Sequence, residues 1–334
     1  MIEILKKLTS SFGPAGEENF IKEIIKSEIK DSCDDLREDK LGNLIAYKKG
    51  KETNLKVMLA AHLDEIGIMV THIDEEGFLR FTPIGGVKKE ILPHKRFVFA
   101  DGITGKVGTE ETKDDDKKID YENMYLDIGA EDKEKAEELV AIGDAAVFSP
   151  DFVDAGGRII AKSLDDRAGC TALVELMQRI NDIPHELYCV FTSQEEVGCR
   201  GSKTAAYDIN PDIALAVDVT ATGDTPESKT REVSLGKGAA IKVMDRGSIT
   251  HPDIKNLLRE LAEDKNINYQ FEVLEYGATD AHSMQLSRGG TPGGTVSIPC
   301  RYLHSPGEMI DTEDLEEAIK LLQVFVNSGQ LDEI

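Results

Sequence analysis

Apolar residues recur along this chain at two different periods, and the places where the period changes divide the sequence into three parts. From Asn19 to Ile29 they return every three or four positions, after FGPAGEE, where glycine and proline break the chain ahead of a helix start. The stretch DDLREDKLGNLIAYKKG reads as two short strands around a Leu-Gly-Asn turn, and LKVMLAA as a buried strand. From about Gly67 to Arg158 the helical period disappears. Short β-rich runs (IMVTHI, FLRFTPI, RFVFADGITGKVG, MYLDIG) are separated by glycines and by the charged stretch ETKDDDKKIDYEN, with one helix near Lys133 to Val140. That is the pattern of a small β-barrel or sandwich, and the acidic segment Glu110 to Asp120 reads as a mobile loop within it.

After Arg158 helices and strands alternate again. The pattern predicts helices over Asp165 to Ile180, Ser202 to Tyr207, Pro252 to Asp264, Asp280 to Leu286 and Thr312 to Phe325. Strands are predicted over Glu186 to Phe191, Ile213 to Val217, Ala239 to Met244 and Gly294 to Ile298. The expected fold class is α/β, a domain over 1–66 and 159–334 interrupted by a β-rich insertion over 67–158.

Composition narrows the partners. With 63 acidic against 39 basic residues the formal net charge is -24, which repels phosphate backbones and anionic lipid, so neither nucleic acid nor membrane is expected. No run approaches the roughly 20 apolar residues of a membrane span, and the N-terminus MIEILKKLTSSFG lacks the pattern of a secretory leader, so a cytoplasmic location is expected. The five cysteines, Cys33, Cys170, Cys189, Cys199 and Cys300, are scattered without a CxxC and read as reduced, mostly buried thiols.

The predicted strands share one habit, a metal-competent or acid–base side chain at the carboxyl end. LKVMLAA leads to His62 and Asp64, ELYCVFTSQ to Glu195 and Glu196, DIALAV to Asp218, and GGTVSIPCRYL to His304. Open α/β sheets gather their ligands at the carboxyl ends of strands, so these runs should converge on one site. Asp165, in KSLDDRAGC, opens a helix, where capping accounts for one of the two aspartates and not for both. Two histidines and three carboxylates suffice for two divalent ions sharing one carboxylate and one water, and the donor mix favours zinc, with cobalt or manganese as alternatives. Which of Glu195 and Glu196 would bind metal stays open at this point. His72, His94, His185, His251 and His282 read as ordinary histidines, although His282 stands close to Asp280. There is no GxSxG elbow, HExxH helix or GxxxxGK[ST] loop, and RGGTPGGTV reads as a tight turn before a strand.

The motifs AAHLDEIG, KSLDDRAGC, EEVGCRG, AVDVT and GATDAHSMQLSRGGTPGGTVSIPCRYLHSPGEM, together with LTSSFGPAGEE and IGDAAVFSP, follow one another along nearly the whole chain. In this order they resemble the cobalt- or zinc-dependent aminopeptidases of the tetrahedral (TET) type, metallopeptidase family 42, some of whose members have carried an endoglucanase label. The resemblance implies a mixed sheet flanked by helices, with the insertion a barrel-like dimerisation domain, and assembly into dodecamers built from dimers. It implies two divalent ions per subunit on His62, Asp165, Glu196, Asp218 and His304, with Asp165 bridging. Glu195 would be the general acid–base residue and Asp64 would orient His62. The implied reaction is removal of N-terminal residues from oligopeptides by a metal-bridged water. The chain departs from the family pattern in the insertion, where GGVKKEILP, from Gly85 to Pro93, stands in place of GGWDP.

Two other functions compete. A glycoside hydrolase working through two carboxylates would leave His62 and His304 idle and would survive chelation. A non-catalytic, metal-dependent assembly module on the same fold would keep metals and oligomer without turnover. Glu65 has no chemical role in any of these, and a structural one at the domain crossing is expected.

Overall fold

The computed structural model describes residues 1–110, 119–226, 228 and 232–334. Most of the expected acidic loop, Glu110 to Asp120, therefore lies outside the described residues. Helices α1 (Ile2–Thr9) and α2 (Asn19–Ile29) are followed by strands β1 (Asp35–Glu38), β2 (Leu44–Lys48) and β3 (Lys56–His62). Next come β4 (Gly67–Ile73), β5 (Leu79–Ile84), β6 (Arg96–Phe99), β7 (Thr104–Thr109), β8 (Met124–Asp127), helix α3 (Lys133–Glu137) and β9 (Ala145–Phe148). These six strands close on one another as an antiparallel barrel in the order β4-β5-β8-β7-β6-β9. The alternation along the strands fills the barrel interior with Ile68, Leu79, Phe97, Val107, Leu126 and Phe148, a core separate from that of the rest of the chain.

The chain leaves the barrel through β10 (Phe152–Asp154) and β11 (Arg158–Ala161). It continues through α4 (Leu164–Arg179), β12 (Glu186–Thr192), α5 (Arg200–Ile209), β13 (Ile213–Ala221), β14 (Ala239–Met244) and α6 (Pro252–Lys265). The last elements are β15 (Tyr269–Val273), α7 (Ala281–Gln285), β16 (Gly293–Arg301), β17 (Glu308–Asp311) and α8 (Thr312–Val326). An 11-stranded sheet runs β1-β2-β12-β3-β13-β16-β17-β11-β10, with β14 and β15 attached beside β16. Strand β10 pairs with β11 here, so the chain has rejoined the large sheet before Arg158. The neighbours β12, β3, β13 and β16 are parallel, and β2, β14 and β17 run against them. The fold is thus mixed α/β, a large sheet flanked by helices and joined to a closed barrel.

Helix α4 is buried from Leu164 to Met177, lying on β3 and β13 with α1, α2 and α8 against it. It sits so close to the sheet that a Cβ on Gly169 would collide with the Val217 carbonyl and the Asp166 carboxylate. Only glycine allows that approach, and it draws the start of α4 in beside the carboxyl ends of the parallel strands.

Candidate metal centre and active site

Four adjacent parallel strands must end at one edge of the sheet, and here that edge is where the polar side chains are. His62 closes β3 in register with Thr192, the last residue of β12, and the turn beyond Thr192 carries Glu195 and Glu196. Asp218 stands near the end of neighbouring β13, and the chain leaving β16 brings His304. Asp165 enters from the start of α4. All six line one cavity of about 680 Å³.

Asp165 is the hub. Its Oδ1 lies 3.0 Å from His62 Nε2, and its Oδ2 lies 3.3 Å from His304 Nε2. Glu196 Oε1 is also 3.3 Å from His304 Nε2. Both imidazoles have their Nδ1 atoms occupied by main-chain carbonyls, His62 by that of Asp64 and His304 by that of Gly86, each at 3.0 Å. A carbonyl oxygen only accepts, so Nδ1 carries a hydrogen in both rings, and Nε2 is the atom directed at the carboxylates and open to metal once its own proton is gone. Two donors bonded to one ion at about 2.0–2.1 Å in tetrahedral geometry lie about 3.3 Å apart, close to the spacings found here. His62 forms one group of mutually close donor atoms with Asp165 and Glu196 and a second with Asp166 and Asp218. The donor set therefore fits divalent metal ions.

Asp166 does the capping that sequence could assign to only one of the pair. Its Oδ1 accepts the Gly169 N–H at 2.9 Å and its Oδ2 the His62 N–H at 3.1 Å, which leaves Asp165 free to face the cavity. The structure also changes the picture of Asp64. Its contact with His62 is made by its main-chain carbonyl, and its nearest carboxylate oxygen is 3.7 Å from the ring. The buried carboxylate instead accepts the N–H groups of Glu195 at 2.8 Å and Glu196 at 3.0 Å, pinning the turn that carries both.

So many acids in a buried space disturb one another. Burial, then the charges of Asp165, push Asp218 up to about 8, and burial does most to push Glu196 up to about 7. Burial likewise lifts Glu195 well above the usual carboxylate range, with Asp280, Asp218 and Glu196 adding to it against the opposing pull of His62. For His62 burial opposes the charged ring, yet Asp165, Glu195 and Asp64 outweigh it and hold its pKa well above 6.5. His304 behaves alike: burial opposes, and Asp165 and Glu196 carry it to about 10. Asp165, opposed by burial, is held below its ordinary value by the two imidazoles. Protons on the histidines are standing in for positive charge that this cluster demands, which is what metal cations would provide.

Several participants carry no sequence signal of their own. Cys199 donates its thiol hydrogen to Glu195 Oε1 at 3.0 Å, and Asp280, buried, accepts from Thr192. Glu308 accepts main-chain N–H groups from both Asp165 and His304. His282 is turned away, its Nδ1 bonded to the Gly247 carbonyl, and His185 is a buried structural histidine between Thr53 and the Ser328 carbonyl.

The model of the M42 glutamyl aminopeptidase family matches residues 42–321. The chain belongs to that family. It is accordingly a hydrolase of peptide bonds, an aminopeptidase, and the family implies divalent metal ions, which the donor set suits. A protein of Acetivibrio thermocellus, named an aminopeptidase provisionally, is 50% identical over 322 residues, 96% of this chain and 97% of its own. The structure of aminopeptidase APDkam598 from the archaeon Desulfurococcus kamchatkensis superposes with a TM-score of 0.94 at 39% identity, covering 99% of this chain and 95% of that one. The TET1 peptidase of Pyrococcus horikoshii, which can assemble into a tetrahedron or a large octahedral shell, gives a TM-score of 0.88 at 35% identity over 97% and 98% of the two chains. Among the described residues no helix is long and apolar enough to cross a membrane.

Proposed function

We propose that this M42 aminopeptidase removes N-terminal residues from oligopeptides using two divalent ions, with zinc favoured by the donor set and cobalt or manganese as alternatives. His62, Asp165, Glu196, Asp218 and His304 would hold them, Asp165 lying between the two. The observation that carries this reading is the pairing of the two Asp165 oxygens with two different imidazoles, at 3.0 and 3.3 Å. When bound, such ions supply a water of lowered pKa and polarise the scissile carbonyl.

Glu195 is the proposed general acid–base group. It takes the proton of the attacking water as the new C–O bond forms, and returns it to the departing amine nitrogen as the C–N bond breaks. Asp64 keeps Glu195 and Glu196 in place through their main-chain amides. A cavity of about 680 Å³ has room for the first residues of a peptide. Its free thiols favour the cytoplasm, and the barrel is the proposed dimerisation domain in a dodecamer, in line with the shell-forming TET1 relative.

Glu195→Gln should lower kcat on aminoacyl-nitroanilides by about 10²–10⁴-fold while both ions stay bound, as read by emission spectroscopy of the purified protein. Wild-type turnover in that variant would remove Glu195 from the chemistry. One ion or none per chain in fully active enzyme would sink the two-metal scheme.

A further inference from the structure

Glu308 sits on β17, in register with Ala161 of β11, and is 2% exposed. Both of its oxygens are committed to main-chain donors. Oε2 accepts the Asp165 N–H at 3.0 Å, and Oε1 accepts the His304 N–H at 2.8 Å. These donors belong to two proposed ligands that reach the centre from different directions, one at the start of α4 and one in the loop between β16 and β17. The His304 backbone is also in the left-handed region, at φ 59°, a conformation that costs a non-glycine residue about 1–2 kcal/mol and must be held by its surroundings.

We propose that Glu308 is a positioning residue that sets the separation of Asp165 and His304, an inference that rests on their assignment as metal ligands. A carboxylate is the one side chain offering two acceptor oxygens and no donor, so it can take two N–H groups from two segments at once. The Asp165 and His304 main chains are thereby tied to one rigid planar group, and their side chains meet across 3.3 Å. The Gly86 carbonyl holds the His304 ring from the barrel side, where a Cβ on residue 86 would strike it. Glu308 thus fixes the His304 main chain and Gly86 the rotation of its ring. A buried carboxylate is costly to desolvate, and here that cost is offset by the two N–H groups it accepts from the ligand-bearing segments. Holding two ligands at a set spacing gives it a reason to be there.

The test uses the full chain carrying Glu308→Gln or Glu308→Ala, stripped of metal and titrated with zinc against a chromophoric chelator. Gln keeps the shape but turns an N–H₂ group toward one of the two amides, so it carries the test if the Ala variant does not fold. We expect zinc affinity to fall about 10–100-fold, with kcat falling in parallel and KM changing less than about threefold. Hydrogen exchange in the metal-free variant should speed up over residues 302–307 while the rest of the sheet stays protected. Unchanged zinc affinity, with or without a lower melting temperature, would overturn the proposal. Asp165→Ala is the control: wild-type zinc binding in that variant would overturn the ligand assignment itself, and this inference with it.

Discussion

Replacing Asp64 by Asn separates two roles that sequence cannot. The Asp64 carboxylate is fully buried and accepts the Glu195 and Glu196 amides at 2.8 and 3.0 Å, whereas its nearest oxygen is 3.7 Å from His62 Nδ1. The main-chain carbonyl that does contact Nδ1, at 3.0 Å, is untouched by the substitution. Asn keeps one acceptor and points N–H₂ at the other amide. One charge-assisted bond of about 1.5–3 kcal/mol is lost and a buried N–H is left unpaired, so a net cost of about 2–4 kcal/mol, local to the turn, is expected. At about 1.4 kcal/mol per factor of ten, hydrogen exchange across residues 193–198 should accelerate about 30- to 1000-fold in the metal-free protein. The assay is exchange mass spectrometry on that segment beside a zinc titration of the same sample. Unchanged protection of the turn together with a tenfold or greater loss of zinc affinity would refute this reasoning. It would return the carboxylate to the His62-orienting role that the family resemblance implies.

The strand-end side chains were legible because each breaks an apolar run. His62 after LKVMLAA, Asp218 after DIALAV and Glu195-Glu196 after ELYCVFTSQ stand out in a sequence whose buried parallel strands are otherwise continuous. The barrel was legible by its short alternating runs. Strands β10, β15 and β17 were not, being three to five residues long and partly exposed, so they offer too little periodicity to separate from loop. Glu308 hides for a related reason: in GEMID an acid at an alternating position looks like the wet face of an edge strand, and only the fold shows that it faces inward onto two amides. Sequence placed an aspartate pair at the start of α4, but which one caps and which one faces the cavity depends on the close approach at Gly169. Asp64 was recognised for its position, while the choice between its carbonyl and its carboxylate as the partner of His62 lies in backbone geometry that no spacing encodes.

Two further outcomes follow from the buried charges. Metal-free protein near neutral pH should hold protons on His62 and His304, whose pKa values stand well above 6.5 and at about 10, and both must leave for Nε2 to bind metal. Zinc affinity should therefore rise with pH and fall as pH drops, and calorimetry at pH 7 in buffers of different ionisation heat should count at least two protons released, the carboxyls of Asp218 and Glu196, raised to about 8 and about 7, adding to those of the imidazoles. Fewer than one would contradict the charge state described. The second concerns Glu65, which lies between β3 and β4 and bonds Lys162 Nζ at 2.8 and 2.6 Å, with Arg167 3.4 Å away and all three side chains buried. Glu65→Gln strands two cations in the interior and should cost about 3–5 kcal/mol, whereas Glu65→Leu with Lys162→Met removes one charge of each sign and should recover part of it. Urea midpoints of the metal-free proteins measure both, and a Gln variant within about 1 kcal/mol of wild type would show that this network does not secure the crossing between the sheet domain and the barrel.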